Sequence, residues 1–530
     1  MPPPPLTGTQ RILLNTLSAA LVLRLLHLSD LSLWADEGVT WWNATQGTLR
    51  DTIFAEANHP PLWWVVTRGW LALFPGREMS LRMPAALLGV LSVFLTYRLA
   101  RRLCDPAQTP LRGGFQGTDP TTALWVAGFA AANPFWIEYA QEARMYAAVL
   151  AASLGLSLLY LRWLDLGRRS TLVAYAILGA IALYTHYFAV WPMVAHAAHA
   201  LWLARVSRRD AAPWSAVPLL VAQTATAVAF VPWAIVLALG YRGISPGVYE
   251  PFGRMAHALW RMGTGPGLVA LDRPRVAAGP GAVFAAQPYL IVATGLAWMV
   301  PIVFGAFALR RDRGGRAFVG AAVLVPLALV LLACVRWPLV HEKYLIFLAP
   351  FLLYLAVLGA RSAPGLLKPV LLGGLVALHA AGLLAYHAPD ADLCVPLNGG
   401  HPYGKEEWRE AHEYVAQQAQ KGDVVLLHAP FTRMTWAFYD QDRLVPASPV
   451  PTLDLPCDHP TTAAELLAAF PALSKAKRVF LVSSHEATEG RDDTRDAVME
   501  ALYATWGEFS THQTDFPRQW GIRVFRFSGG

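Results

Sequence analysis

At 530 residues, with 55% hydrophobic and only 15% charged residues, this chain is too apolar for an ordinary soluble protein, which carries about 25% charged residues. The net charge of +7 does not point to nucleic acid, because the arginines are dispersed between apolar segments instead of gathered on one face. What remains is a polytopic α-helical membrane protein with a more polar region toward the C-terminus.

The N-terminus, Met1-Pro2-Pro3-Pro4-Pro5, lacks a charged leader, and no small-residue cleavage site follows the first apolar stretch, Ile12 to Leu28. That stretch reads as a retained helix. A spanning helix needs about 20 mainly apolar residues. Eleven segments are expected on this basis, roughly 11–30, 82–103, 120–137, 145–163, 171–188, 190–204, 214–238, 286–309, 317–335, 344–360 and 366–386. With the N-terminus in the cytoplasm, the inner loops and the helix ends beside them hold Arg98, Arg101, Arg102 and Arg112; Arg162, Arg168 and Arg169; Arg205, Arg208 and Arg209; Arg310, Arg311, Arg313 and Arg316; and Arg361 with Lys368. Short basic inner loops are what the positive-inside rule requires. An odd number of spans then puts the C-terminal region outside the membrane.

Two outer loops are long, 31–81 and 239–285. Pro61 to Trp70 and Phe252 to Met262 read within them as short amphipathic helices in the interface. Long structured loops on one side place the chemistry on that side. From about residue 388 the composition changes. Glu406 to Gln420, Thr462 to Ala469 and Arg491 to Trp506 read as helices. Asp423 to His428, Arg478 to Ser483 and Gly521 to Phe527 read as strands. Strands alternating with helices predict a small α/β domain over 388–530, after a membrane domain over 1–387. That outer domain has no Gly-rich phosphate loop, metal-spaced Cys/His set or nucleophile elbow. Cys394 and Cys457 both lie in it and form a disulfide candidate if it faces an oxidising compartment. Cys104 and Cys334 lie in or beside membrane segments and read as packing residues. The sequon Asn43-Ala44-Thr45 reads as incidental.

The chemistry-bearing residues gather at helix ends on the outer side. Asp36 and Glu37 sit where the first helix leaves the bilayer, in Leu33-Trp34-Ala35-Asp36-Glu37-Gly38. Asn58-His59-Pro60-Pro61 follows in the same loop. The third and fourth helices meet in a short turn carrying Glu138, Glu142, Arg144 and Tyr146. The fifth ends in Tyr184-Thr185-His186-Tyr187, and His341-Glu342-Lys343-Tyr344 joins the ninth and tenth. Taken singly each has a structural reading: an interfacial acid, a turn cap, a belt aromatic, a snorkelling lysine. Convergence from several helix ends is harder to explain structurally, because ionisable groups under membrane helices are costly and mark function. An anionic phosphate would be met by Arg144 and Lys343. An acceptor hydroxyl needs a base within hydrogen-bond reach, for which Asp36 is the candidate. A displacement at an anomeric carbon with a phosphate leaving group needs that one base and those cations, because the phosphate departs as an anion without a protonating acid.

Asn58-His-Pro-Pro-Leu-Trp-Trp, running through Arg82-Met-Pro-Ala-Ala-Leu, resembles the first outer loop and second helix of bacterial glycosyltransferase family 39. These are proteins of the GT-C superfamily, related to protein O-mannosyltransferases and lipid A aminoarabinose transferases. Tyr139-Ala-Gln-Glu-Ala-Arg-Met-Tyr146 is similar to that family's third-to-fourth helix motif, and Leu183-Tyr-Thr-His-Tyr-Phe188 to its fifth-helix end. Trp408-Arg409 followed by Gly422-Asp423-Val-Val resembles the opening of its outer domain. The likeness spans most of the chain. It implies a GT-C fold in a bacterial inner membrane, a polyprenyl-phosphate sugar as donor co-substrate, and inverting transfer on the outer face to a lipid, glycan or protein acceptor. It implies Asp36 as base with Glu37 supporting it. It implies His59, Arg82, Glu138, Glu142, Arg144, Tyr146, His186, Lys343 and Tyr344 around donor and acceptor. Lys343-Tyr344 departs from the family's more usual Arg-Tyr, and a lysine supplies charge without a bidentate fork. No cofactor is established. Some members use a divalent cation, for which Asp36, Glu37, His59 and His186 are the candidate ligands. Two other classes stand beside this one. A flippase or transporter of lipid-linked sugars would place its charges near the midplane. A non-catalytic scaffold with a partner-binding outer domain would have no need of the Asp36-Glu37 pair.

Overall fold

A computed structural model of the chain describes residues 6–104, 119, 121–207, 214–240, 251–266, 268, 285, 288–337, 339–387, 405–428, 432–441, 452–454, 462–484, 492–507, 512–516 and 521–528. Cys394 and Cys457 lie outside them. The helices run α1 (Gly8–Leu25), α2 (Ala35–Thr45), α3 (Leu49–Ile53), α4 (Leu62–Leu73), α5 (Glu78–Cys104), α6 (Thr121–Ala132), α7 (Pro134–Ala140), α8 (Tyr146–Leu166), α9 (Arg169–Thr185), α10 (Val190–Ser207), α11 (Val217–Gly240), α12 (Pro251–Thr264), α13 (Pro288–Ala308), α14 (Arg313–Ala333), α15 (Ala349–Ser362) and α16 (Leu367–His387). Each of the eleven apolar segments falls on helix. Among the described residues seven helices are long and apolar enough to cross a membrane: Glu78–Cys104, Tyr146–Leu166, Val217–Gly240, Pro288–Ala308, Arg313–Ala333, Glu342–Ser362 and Leu367–His387. Helices α6 and α9 are apolar but shorter.

By contacts the chain divides into two compact units. One comprises Met1–Leu26, Ile53–Val66 and Arg82–Val395; the other comprises His27–Thr52, Thr67–Leu81 and Pro396–Gly530. Composition put one boundary near residue 388, whereas contacts group much of the first outer loop with the C-terminal residues.

In the helical unit the span Glu342–Ser362 is the most enclosed, with 89% of its most apolar window buried. It crosses α13 backbone to backbone. A Cβ on Gly305 would lie 2.0 Å from the Leu355 carbonyl oxygen, and one on Gly359 would lie 1.9 Å from that of Pro301. Small residues allow this approach where lipid supplies no hydrophobic drive between helices. The segment read as one span over 120–137 is divided. Pro134 has no N–H to continue α6 and instead opens α7, while Asn133 turns extended and its side chain accepts from the Trp136 N–H at 3.2 Å. The freed carbonyls of α6 are not left bare. Arg24 of α1, itself fully buried, donates to Ala130 O at 3.2 Å and Ala131 O at 3.1 Å.

The second unit carries a five-stranded sheet in the order β2-β1-β3-β5-β4, from β1 (Val424–His428), β2 (Thr452–Asp454), β3 (Arg478–Ser484), β4 (His512–Phe516) and β5 (Ile522–Ser528). β1 runs parallel to β2 and β3; β5 runs antiparallel to β3 and β4. Its helices are α17 (Trp408–Gln418), α18 (Arg433–Gln441), α19 (Ala463–Ala469) and α20 (Asp492–Trp506). Val424, Leu426, Val479 and Leu481 pack with Leu466, Val498, Leu502 and Phe527 into its core. The predicted helices and strands of this region all form. α18, β2 and β4 are additional.

Candidate functional site

The motif Tyr139–Tyr146 is a turn between α7 and α8 whose shape is set from below. α7 stops at Ala140. The Gln141 amide then turns back under α1 and donates to Leu26 O at 2.7 Å and Arg24 O at 3.1 Å, while its oxygen accepts from Tyr386 at 2.6 Å. One side chain thereby caps the end of α1 and ties the turn to α16. Because the helix has ended, Glu138 and Glu142 do not share a helical face. Both are buried, as are Arg144 and Tyr146.

Above this turn four chain segments meet. Arg144 Nη2 reaches His59 Nε2 at 3.4 Å, and its guanidinium lies 5.4 Å from the Trp64 ring centroid. His59 is held from its other side by Glu56 through Nδ1. Its ring is 6.3 Å from that of His186. His186 follows the last residue of α9 in extended backbone, and its Nδ1 accepts from the Phe188 N–H at 3.1 Å. The His186 ring lies 6.0 Å from Tyr146 and 5.6 Å from Tyr344. Lys343 Nζ stands 5.5 Å from the Tyr146 ring centroid and 5.7 Å from that of Tyr344. The result is a cluster of aromatic and imidazole rings with two cationic side chains beside them, Arg144 and Tyr146 buried and Lys343 half-buried, a grouping suited to an anion flanked by apolar or sugar faces.

A second arrangement supports the first. Arg261 of α12 donates to Glu138 at 2.5 Å and to Glu342 at 2.6 Å, so one guanidinium holds carboxylates from two separate helix ends. Burial holds the His257 imidazole of the same helix down at about 4, so it is neutral at pH 7 and does not compete for them. Asn133 adds a tie from α7 to α12 through Met262 O at 3.0 Å. The expected amphipathic helix at Phe252–Met262 is present. Arg261, which the sequence reading did not single out, holds Glu342 together with His341, whose Nδ1 lies 3.1 Å from the other carboxylate oxygen.

In the second unit, α2 carries Asp36 and Glu37 in its first turn, where the helix dipole favours negative charge. Glu37 is fully buried. Its Oε1 pairs with Lys405 Nζ at 2.9 Å, and its Oε2 accepts from the Trp34 N–H at 3.4 Å. Glu406 accepts from the Ala35 N–H at 3.2 Å and from the Trp408 indole. The Tyr439 hydroxyl accepts from the Leu33 N–H at 2.6 Å. Gly38 lies against α18 so closely that a Cβ there would meet Thr435 Oγ1 at 2.1 Å. Asp36 is half-buried. At the other end of α2, Arg68 donates to Ala44 O at 3.1 Å and Gly47 O at 2.9 Å, closing the helix.

The structure thus joins His59, Arg144, Tyr146, His186, Lys343 and Tyr344 in one cluster, with Glu138 tied in through Arg261. Arg82 is buried near the start of α5, and Glu142 is buried in the α7–α8 turn. Among the described residues no three His, Cys, Asp or Glu side chains come together as a metal-binding group. His59 has both ring nitrogens engaged, by Glu56 and Arg144. Sequence reading missed Arg261, Lys405 and Glu406. The signal for the last two was weak: a charged pair just ahead of the Trp408-Arg409 motif.

No family model and no curated protein matches the sequence. Solved structures do match. ArnT from Cupriavidus metallidurans in the apo state is 13% identical over 98% of both chains with a TM-score of 0.57. The same protein bound to undecaprenyl phosphate is 16% identical over 98% of both chains with a TM-score of 0.55. The oligosaccharyltransferase of Archaeoglobus fulgidus in complex with zinc and sulfate is 12% identical over 96% of this chain and 72% of its own, with a TM-score of 0.51. These likenesses show that the chain shares the fold of ArnT and of the archaeal oligosaccharyltransferase, the fold that the sequence motifs led one to expect.

Proposed function

We propose that the chain is an inverting membrane glycosyltransferase that moves a sugar from a polyprenyl-phosphate donor to an acceptor hydroxyl on the outer face of a bacterial inner membrane. The observation that carries this reading is the cluster of Arg144, Lys343, His59, His186, Tyr146 and Tyr344, drawn from four chain segments in a GT-C fold. A neighbour of that fold has been solved with undecaprenyl phosphate, which supports a lipid phosphate as the group recognised.

In the proposed reaction the Asp36 carboxylate takes the proton of the acceptor hydroxyl as its oxygen bonds to the anomeric carbon from the face opposite the phosphate. The bond from that carbon to the phosphate oxygen breaks with its electron pair, and polyprenyl phosphate leaves as an anion. Arg144 and Lys343, with Arg82, stabilise the charge on the departing phosphate. Glu37 supports the base. Glu142, His59, His186, Tyr146 and Tyr344 shape the surroundings of donor and acceptor, with Glu138 held beside them by Arg261. The acceptor is a lipid, glycan or protein hydroxyl.

The test uses purified protein in detergent, a panel of undecaprenyl- and decaprenyl-phosphate sugars, and crude envelope extract as a source of acceptor. Free polyprenyl phosphate is the readout. Wild type is expected to release it from at least one donor, and Asp36→Asn is expected to lose at least about 100-fold in rate while remaining folded. Equal release by Asp36→Asn removes Asp36 from the chemistry. Lipid-linked sugar crossing sealed vesicles intact, with no phosphate released, would overturn transfer in favour of transport.

A further inference from the structure

We infer that Glu37 and Lys405 form a buried pin that positions Asp36, and that Glu37 takes no part in the chemistry itself. This rests on the proposed reading of Asp36 as the base. Successive helical residues point about 100° apart, so Asp36 and Glu37 cannot serve one substrate atom from the same face. They also differ in surroundings. Glu37 is fully buried, with Oε1 on Lys405 and Oε2 on the Trp34 N–H, so neither oxygen is left to face a substrate. Asp36 is half-buried.

A buried carboxylate persists only when its charge is met. Here the ammonium arrives from a residue 368 positions later in the chain, itself buried. The next residue, Glu406, takes the Ala35 N–H, and Trp408 fixes Glu406 in turn. Ser32 Oγ donates to the Glu406 carbonyl, and Tyr439 takes the Leu33 N–H. The backbone donors of residues 33, 34 and 35 are thus all consumed by side chains, two of them from the C-terminal region. On the far side, Gly38 is seated against Thr435 with no room for a Cβ. Asp36 is flanked by anchors before and after it, and Lys405 is the one that neutralises its acidic neighbour. Lys405 and Glu37 are positioning residues.

The test measures kcat and KM for the lipid donor, together with thermal unfolding, in wild type, Asp36→Asn, Lys405→Met, Lys405→Arg and the double variant Glu37→Gln/Lys405→Met. Lys405→Met is expected to lower kcat about 100-fold, the effect of misplacing a catalytic group by roughly an ångström, with KM little changed. Lys405→Arg, which keeps the charge, is expected to recover most of the rate. The double variant removes both charges at once, so it is expected to fold even if Lys405→Met does not, and to lose kcat with KM little changed. Wild-type kcat in folded Lys405→Met overturns the pin. Wild-type kcat in a folded double variant overturns it likewise, because Asp36 would then be placed without the pair. Failure of the underlying reading looks different: wild type and Asp36→Asn would not differ at all.

Discussion

Arg261 shows how much of the site depends on single long-range contacts. Its two carboxylate partners lie 123 and 81 residues away in the chain. Removing one partner from a buried charge cluster leaves uncompensated charge and costs about 3–5 kcal/mol. Arg261→Met is therefore expected to lower the unfolding temperature markedly in detergent and to weaken donor binding, because Glu342 then keeps only His341 as ion-pair partner among the described residues, beside Lys343. Arg261→Lys is expected to recover only part of the loss, since one ammonium lacks the planar fork that reaches both Glu138 and Glu342. Unchanged unfolding in Arg261→Met would show that the two carboxylates find other partners. The same residue explains a limit of sequence reading. The apolar periodicity of Phe252–Met262 announced a helix, and the motifs announced Glu138 and Lys343. Nothing local in either stretch shows that the arginine of one meets the acid of the other. His59, Arg144, His186 and Lys343 were legible because each ends or starts an apolar segment, where a charge stands out. Lys405 was not, because it lies in a polar stretch where one more charge carries no signal.

At the scale of elements, composition was enough for the long helices and not for their interruptions. A run of apolar residues over 120–137 looks continuous, and the division at Asn133 follows from one proline and one side-chain cap. Thr452–Asp454 carries too few residues for a period of two to show, and four of the five residues of His512–Phe516 are polar, so neither announces itself; each pairs with a neighbouring strand. The crossing of α13 and α15 is specified more sharply than either helix. Gly305 and Gly359 are the points of backbone contact, with no space for a methyl group on either. Gly359→Leu is expected to force the helices apart and to destabilise the protein more than the same change at Gly295 or Gly320, where an added Cβ meets nothing within 4 Å. Thermal unfolding of the three variants in one detergent measures this. Equal shifts would mean that the helices separate at little cost, contrary to the packing that drives association in lipid.

For the whole molecule, the informative feature is that one compact unit is assembled from the two ends of the sequence. His27–Thr52 and Thr67–Leu81 are made early in synthesis, yet they group with Pro396–Gly530. Arg409 illustrates the dependence: it donates to Ser29 O at 3.0 Å and to Glu78 at 2.7 Å. The N-terminal turn of α2 likewise takes its partners from residues 405–439. An eleven-residue helix is marginal in water unless something packs on it. Until the C-terminal residues arrive, α2 lacks the groups that satisfy its first backbone donors. A chain ending after residue 387 is thus expected to insert its apolar helices while leaving residues 32–41 without defined structure. Amide hydrogen exchange should show those residues protected in the full chain and unprotected in the shortened one. Release of polyprenyl phosphate should be lost, although Asp36 is still present. Protection of residues 32–41 in the shortened chain would mean that α2 is held by other means, and the C-terminal region would then be an accessory to the site. Loss of protection would make it part of the catalytic apparatus.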